Sequence, residues 1–379
     1  MGTYTEQMED ILFAGYGNLD DDDSSAKTVD FLNSSEGFRS FGDGLLLFIN
    51  KVDNSITAES AYKYISSCCK EKGMDINDIA TPNTIKSWFN TDKRPRKREQ
   101  SREDMFALAF ALGLSVKETS QLFHKVYLDR AFDLRNVHEL VYYYGLANGC
   151  SWSKTKQLIT EADSISGDGK DVTVYTSRIK SDADKLETDE DLLEYINNHQ
   201  HNFSKKNTAA EMNANKMLSE AKEIARKEAA LPEHEGQFEG RWSHGEEISN
   251  NFLYEIITDY SPSGRTGTKS AFKNSRLPDE IKTCFPEAAS LSDKSPSYEA
   301  LRKRIIFLAS YIFWFNMQWE SGAADFEDYC DYMNNLLLES GMPELYYGNP
   351  FDWLFLYCTL SDRPLDTFRD ILYEVNNKE

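Results

Sequence analysis

The sequence predicts an all-α fold divided into several domains. Apolar residues recur at helical spacing, as at Met105, Leu108 and Leu112, which occupy positions i, i+3 and i+7. Cap signals flank these segments: Thr81 is a typical N-cap, and Pro82 follows at the first helical position, where no N–H is needed. The chain of 379 residues is 40% hydrophobic and 13% aromatic, enough to form packed cores.

The composition changes along the chain and predicts four regions. The first 35 residues carry eight acidic residues and one basic residue, so we predict a disordered N-terminus there. The predicted regions are residues 1–35, acidic and disordered; 36–162, a helical domain; 163–245, a linker with exposed helices; and 246–379, a C-terminal helical domain.

The helices of the second region follow one another closely. Thr57 and Ser115 are predicted N-caps, and Gly113 ends a helix as the residue after its C-cap. The predicted helices cover residues 45–49, 60–71, 82–90, 101–113, 116–128 and 137–147, and a last one that starts at Ser151 or Ser153 and directs Leu158 and Ile159 inward.

The remainder of the chain also has a helical pattern. Residues 208–230 are rich in Ala, Glu and Lys, and we predict a solvent-exposed helix. Residues 298–315 have the strongest apolar stripe, with Leu301, Ile305 and Leu308 directed inward. Further helices are predicted at residues 189–197, 326–340, 351–360 and 365–373.

A short basic run stands out in this acidic chain. Five of the six residues from 93 to 98 are basic, whereas the formal net charge of the whole chain is −21. The run lies between the predicted helices 82–90 and 101–113. A helix followed by a basic loop and a second helix is how several DNA-binding domains contact the phosphate backbone.

Residues 57–125 resemble a lambda-repressor/Cro-like helix-turn-helix domain. The resemblance implies that helix 82–90 is the recognition helix, with Ile85 and Trp88 in the core. It departs from the family pattern after this helix, where Thr91 and Asp92 replace the usual glycine. The resemblance assigns DNA contact to Asn83, Thr84, Lys86, Ser87 and Asn90 on the helix, and to Lys93, Arg94, Arg96, Lys97 and Arg98 in the basic run. The alternative is that the basic run pairs with acidic residues of the same protein.

A second conspicuous segment is aromatic and lies near the C-terminus. Residues 346–353 are either the core of a helical bundle or an aromatic surface for a partner. Residues 320–379 carry 13 acidic and three basic residues, a charge suited to protein contact. The partner-binding candidates are Tyr346, Tyr347, Phe351 and Trp353.

Several functional classes lack support in the sequence. None of the six cysteines forms a C-x-x-C pair, and no histidine pair has metal-ligand spacing, so we predict neither a metal nor a cofactor. No catalytic motif is found, which predicts a non-enzymatic protein. The longest uncharged apolar stretch, residues 305–319, is shorter than the roughly 18 residues of a membrane span. Scattered cysteines predict a reducing, cytoplasmic location.

A weak internal similarity leaves open whether part of the chain is duplicated. Asp92-Lys93 and Asp293-Lys294 each precede a helix, and residues 142–146 resemble residues 356–360. The two pairs lie about 201 and 214 positions apart, so their spacing differs.

Together these features predict a DNA-binding regulator of bacterial or mobile-element type. Double-stranded DNA is the predicted partner, and the C-terminal domain is expected to serve oligomerisation or partner sensing. The alternative is an acidic protein-binding adaptor or inhibitor, for example in phage–host conflict, in which the helix-turn-helix is only a scaffold.

Overall fold

A computed structural model describes most of the chain. Every regular element among the described residues is helical, which confirms the predicted all-α class. The described residues are 9–13, 24–34, 38–50, 55–91, 94–95, 99–165, 176–203, 208–230, 246–259, 277–282, 285–293, 296–319 and 325–377.

The chain forms two compact units. One, called here the central unit, is Arg39–Lys206; the other, the flanking unit, combines Met1–Phe38 with Asn207–Glu379. These boundaries differ from the predicted regions, because the segment 163–245 is divided between the two units and the N-terminus belongs with the C-terminal half.

Among the described residues, the N-terminal part of the flanking unit has two helices where disorder was predicted. They are α1 (9–13) and α2 (Ser24–Asn33). Leu12, Val29 and Leu32 are buried in the core of the unit. The prediction of a disordered N-terminus is therefore wrong for these residues, because their few apolar side chains are placed where they pack on the unit's core. Phe31 contributes a further contact, with its ring centroid 4.9 Å from that of Trp353.

The central unit contains ten helices among the residues that the structure describes. They are α3 (Phe41–Ile49), α4 (Ala58–Glu71), α5 (Pro82–Asn90), α6 (Glu99–Ala111), α7 (Val116–Leu122), α8 (Val137–Ala147), α9 (Trp152–Asp163), α10 (Thr176–Ala183), α11 (Asp189–Asn198) and α12 (Gln200–Phe203). A one-turn π-helix, Phe123–Tyr127, continues α7, and a 3₁₀ turn, Ile76–Asp78, lies between α4 and α5. Helices α10 and α11, predicted to lie in a linker region, place Ile179, Leu192 and Ile196 in the core of this unit.

The rest of the flanking unit is built on two long helices. Its helices are α13 (Thr208–Ala229), α14 (Asn250–Thr258), α15 (Asp279–Lys282), α16 (Tyr298–Trp319), α17 (Phe326–Glu339), α18 (Pro350–Thr359) and α19 (Pro364–Asn377). Helix α13 was predicted to be exposed, and that prediction is wrong. Ala214, Met217 and Ala221 form a buried stripe, and α13 packs along α16. Alanine lines much of this stripe, so a helix of low hydrophobicity can still bury one face.

Candidate nucleic-acid interface

Helix α5 is fixed in the central unit by two apolar side chains and a capped N-terminus. The hydroxyl of Thr81 accepts a hydrogen bond from the backbone N–H of Thr84 at 3.3 Å, and Pro82 occupies the first turn. Ile85 and Trp88 are buried, as predicted. The Trp88 ring meets Phe41 of α3 edge to face, with ring centroids 5.5 Å apart. The opposite face of α5 is consequently directed away from the core.

The predicted DNA-facing side chains lie on that outer face. Asn83, Thr84, Lys86 and Asn90 are exposed, and Ser87 is half-buried. Ser87 donates its hydroxyl to the carbonyl oxygen of Thr84 at 2.7 Å, so this proton is already used within the helix. The structure thus brings the five predicted helix residues onto one side of α5, and α5 itself carries no Asp or Glu.

Lys86 is the one cation of α5, and it rests on an aromatic ring. Its ammonium lies 4.8 Å from the ring centroid of Tyr62 on α4. A cation over a tyrosine ring is attracted by the quadrupole of the ring, while this exposed ammonium keeps access to solvent. The contact holds the charge close to the outer face of α5 rather than at the end of a freely rotating side chain.

The basic run that follows α5 is described only in part. Arg94 is half-buried. The predicted residues Lys93, Arg96, Lys97 and Arg98 lie outside the described residues. The described chain resumes at Glu99, the first residue of α6.

A nearly buried arginine, which the sequence prediction missed, anchors the start of α6. Arg102 donates from Nε and Nη2 to the two carboxylate oxygens of Glu139, each at 2.8 Å, and from Nη1 to Asp129 at 2.8 Å. It also donates to the carbonyl oxygens of Arg130 and Ala131, at 3.0 and 3.1 Å. Burial alone would lower the pKa of Arg102, but the two carboxylates raise it, so the guanidinium remains charged.

We call Arg102, its acidic partners and the two carbonyls the central clamp. It connects the first turn of α6 to the segment that precedes α8. The start of α6, which directly follows the basic run, is therefore held in place. The only hint in the sequence was a cation one turn before the apolar stripe that begins at Met105.

The connection between α4 and α5 differs from a tight helix-turn-helix. Residues 72–81 join the two helices, whereas the turn of that motif has three or four residues. Within this connection Asp75 and Asp78 are exposed. Asp75 accepts from the backbone N–H of Asn77 at 2.9 Å, and Asp78 accepts from that of Asp75 at 3.2 Å, so both carboxylates organise the 3₁₀ turn.

The aromatic residues predicted to form a partner surface lie elsewhere. Tyr346, Phe351 and Trp353 are buried in the flanking unit, and Tyr347 is half-buried. The prediction of an exposed aromatic patch from these residues is wrong, because α18 is buried around its whole circumference. These aromatic side chains belong to the core of the flanking unit, which was the alternative prediction for this segment.

Neither a metal site nor a membrane-spanning helix is evident in the described part of the chain. No group of three or more His, Cys, Asp or Glu residues is placed there to hold a metal ion. No described helix is both long and apolar enough to cross a membrane. Comparison of the chain with protein-family models, with curated proteins and with solved structures gives no significant match.

Proposed function

We propose that this protein is a non-enzymatic regulator that binds double-stranded DNA through the outer face of α5 and the basic run behind it. The observation that carries the proposal is the outer face itself. It exposes Asn83, Thr84, Lys86 and Asn90, and α5 carries no carboxylate. After Thr91 and Asp92 the chain continues into five basic residues among the six at 93–98. Amides, hydroxyls and cations are the groups that contact phosphates and base edges.

The distribution of charge between the units supports the same proposal. The central unit has 24 basic and 25 acidic residues, whereas the flanking unit has 18 basic and 38 acidic residues. Nearly all of the excess negative charge therefore belongs to the flanking unit. The acidic character of the whole chain does not by itself oppose local binding of a polyanion by the central unit.

Fluorescence anisotropy with labelled duplex DNA, measured from 50 to 200 mM salt, tests the proposal. We expect wild-type protein to bind, and the variant with Arg94, Arg96, Lys97 and Arg98 changed together to Ala to bind more weakly. The slope of log K against log salt should become shallower by about 0.9 for every phosphate that the variant no longer neutralises. Unchanged affinity and slope in this variant would refute the role of the basic run.

Lys86 and Lys117 form a matched pair for the helix itself. Both are exposed lysines of the central unit, one on α5 and the other on α7. We expect Lys86→Ala to weaken binding several-fold and Lys117→Ala to leave it unchanged. Equal effects of the two substitutions would indicate general charge attraction rather than an interface on α5.

The acidity of the flanking unit favours a second candidate function, an acidic adaptor that binds a basic protein. Its surface would have to use residues other than the buried Tyr346, Phe351 and Trp353. If duplex DNA does not bind at 50 mM salt but a basic protein does, the adaptor replaces the regulator. Light scattering of the full chain tests the proposed role of the C-terminal part in self-association.

A further inference from the structure

The flanking unit contains a second clamp, built from residues that correspond to those of the central one. Arg302 of α16 donates from Nη1 and Nη2 to the two carboxylate oxygens of Asp352, at 2.6 and 2.8 Å. It also donates to the carbonyl oxygens of Pro343 and Glu344, at 3.4 and 3.2 Å. As in the central clamp, an arginine in the first turns of one helix binds an acid and two successive carbonyls, although the central arginine also binds a second acid, Asp129.

The acid is held in the same way in both clamps. In the central unit, the carboxylate of Glu139 accepts from the backbone N–H of Asp133 at 2.6 Å. In the flanking unit, Asp352 accepts from the backbone N–H of Tyr346 at 2.9 Å. Each acid stands six residues after its backbone donor and is the third residue of its helix, α8 or α18.

The segments that lead into α8 and α18 also correspond residue by residue. Each helix has an asparagine N-cap, Asn136 or Asn349, whose side chain accepts from the backbone N–H two residues later. Eight residues before these N-caps, Leu128 and Gly341 both adopt the left-handed conformation, with φ of 57° and 68°. The pairs 128 and 341, 136 and 349, and 139 and 352 all share one offset of 213 positions.

The same offset extends through the following helices. It aligns α9 with α19, and their buried stripes coincide: Trp152, Leu158, Ile159 and Ala162 align with Leu365, Ile371, Leu372 and Val375. With this offset, residues 142–146 align with 355–359. The pairing with 356–360 suggested by the sequence is one residue out of register.

Two further matches precede the clamps in the same order. Residues 99–109 and 299–309 share the pattern E-x-x-R-x-x-(M/I)-x-x-L-A, which contains Arg102 and Arg302. Residues 82–89 read PNTIKSWF, and residues 278–285 read PDEIKTCF. Ile85 and Ile281, at the same place in these two segments, are both fully buried. These matches occur in a common order, although α16 extends further beyond its matched segment than α6 does, and they indicate a duplicated helical module.

The two copies differ in charge at the proposed interface. Asn83 and Thr84 of the central copy correspond to Asp279 and Glu280 in the flanking copy. The side chain of Asp279 is 88% exposed, and one of its oxygens lies 3.3 Å from the ammonium of Lys282, the counterpart of Lys86. The connection that follows also differs, because residues 286–297 contain two acidic residues and one basic residue in place of the basic run.

We infer that the module is duplicated but that only its central copy binds DNA, and that uncharged side chains at positions 83 and 84 are required for that binding. This inference rests on the proposed function. Neutral side chains there let a phosphate backbone approach α5, whereas the carboxylates at the equivalent positions repel it, and one of them, Asp279, pairs with Lys282. Each chain then carries one DNA site, although it contains two copies of the module.

Exchange of the two residues between the copies tests the inference. The Asn83→Asp, Thr84→Glu variant gives the central copy the charges of the flanking copy. We expect about tenfold weaker binding of duplex DNA at 50 mM salt, with the deficit shrinking as salt rises. The fold should be retained, because acidic residues in the first turn of a helix are favoured by the helix dipole. Asn83→Ala, Thr84→Ala controls for the removal of the polar groups, and we expect it to bind at least three times more tightly than the acidic variant.

The reciprocal variant, Asp279→Asn, Glu280→Thr, should bind DNA as the wild type does, with one duplex per chain, because the flanking copy also lacks the basic run. The inference is overturned if the acidic central variant binds as tightly as wild type, or no more weakly than the alanine control. It is also overturned if the reciprocal variant changes affinity or if wild type binds two equivalent duplexes per chain. If wild type binds no DNA at 50 mM salt, the proposed function itself fails, and the inference fails with it.

Discussion

Gly42 holds α5 in place, because it lets the backbones of α3 and α5 approach closely. A Cβ built at this position would lie nearer to the carbonyl oxygen of Trp88 than the 3.0 Å that real Cβ atoms respect, and 3.0 Å from the Cα of Phe89. Both obstacles are backbone atoms, so rotation of a side chain cannot relieve them. Gly42→Ala must move α3 and α5 apart by about 1 Å, which opens the contact between Phe41 and Trp88.

The same helix provides a matched control. A Cβ at Gly44 would meet its nearest neighbour, a methyl group of Val126, at 3.4 Å, which is ordinary contact. Alanine in place of glycine within a helix contributes about 0.5–1 kcal/mol to stability, and both variants share this gain. Overpacking costs about 1–3 kcal/mol and falls on Gly42→Ala alone. The difference between the two variants in the free energy of unfolding should therefore be about 1–3 kcal/mol.

Urea unfolding followed by tryptophan fluorescence measures that difference, and hydrogen exchange of α5 locates it. We expect Gly42→Ala to unfold at lower urea, to exchange faster in α5 and to bind DNA more weakly, whereas Gly44→Ala should match or exceed wild-type stability. If Gly42→Ala is as stable as Gly44→Ala, the close approach of α3 and α5 is not what positions the interface, and the reasoning is refuted.

Three further predictions follow from buried or paired groups. Asp352→Ala leaves Arg302 buried without its carboxylate, so the free energy of unfolding, measured by calorimetry, should fall by about 3–5 kcal/mol. The double variant Arg302→Met, Asp352→Leu should recover most of that stability. Equal destabilisation by the two variants would contradict this reasoning. The ammonium of Lys154, 2.7 Å from Asp189, lowers the pKa of that carboxyl. The difference in unfolding free energy between wild type and Asp189→Asn should therefore be constant above pH 5 and decline as the pH falls below about 4. A difference that does not depend on pH would contradict this. Burial raises the pKa of Cys69 to about 11, so mass spectrometry after iodoacetamide treatment at pH 8 should find it at least tenfold less labelled than an unfolded control.

The sequence predicted helices well where a strong apolar stripe was bounded by caps. Helix α5 is an example: its N-cap, its proline and its two buried residues were all expected, because they depend on local signals. The prediction failed for α13, whose buried stripe is mostly alanine and has little hydrophobic contrast with the lysines and glutamates around it. It also failed for α2, because a run of acidic residues nearby dominated the composition, whereas two apolar side chains decide where that helix packs.

The two clamps lay beyond sequence reasoning for a different reason. Arg102 and Glu139 are 37 positions apart, Arg302 and Asp352 are 50 apart, and nothing local marks either pair. An isolated charged residue in a helix is most often on its solvent face. Each arginine is recognised as a clamp residue only from the three-dimensional structure, in which its carboxylate and carbonyl partners lie at equivalent positions in the two units.

The clamps also explain how the two copies could diverge at the interface while keeping their fold. The clamp groups are buried or nearly buried, and any change there leaves a charge without its partner, which is strongly destabilising. The outer faces at positions 83 and 279 are exposed, and exchange of an amide for a carboxylate there costs little stability. The two copies therefore resemble each other at scattered core and clamp positions. The exposed residues on which the proposed DNA binding depends can differ in charge between the copies without loss of the fold. If the proposed function holds, a duplicated module of this kind retains its architecture in both copies while restricting DNA binding to one.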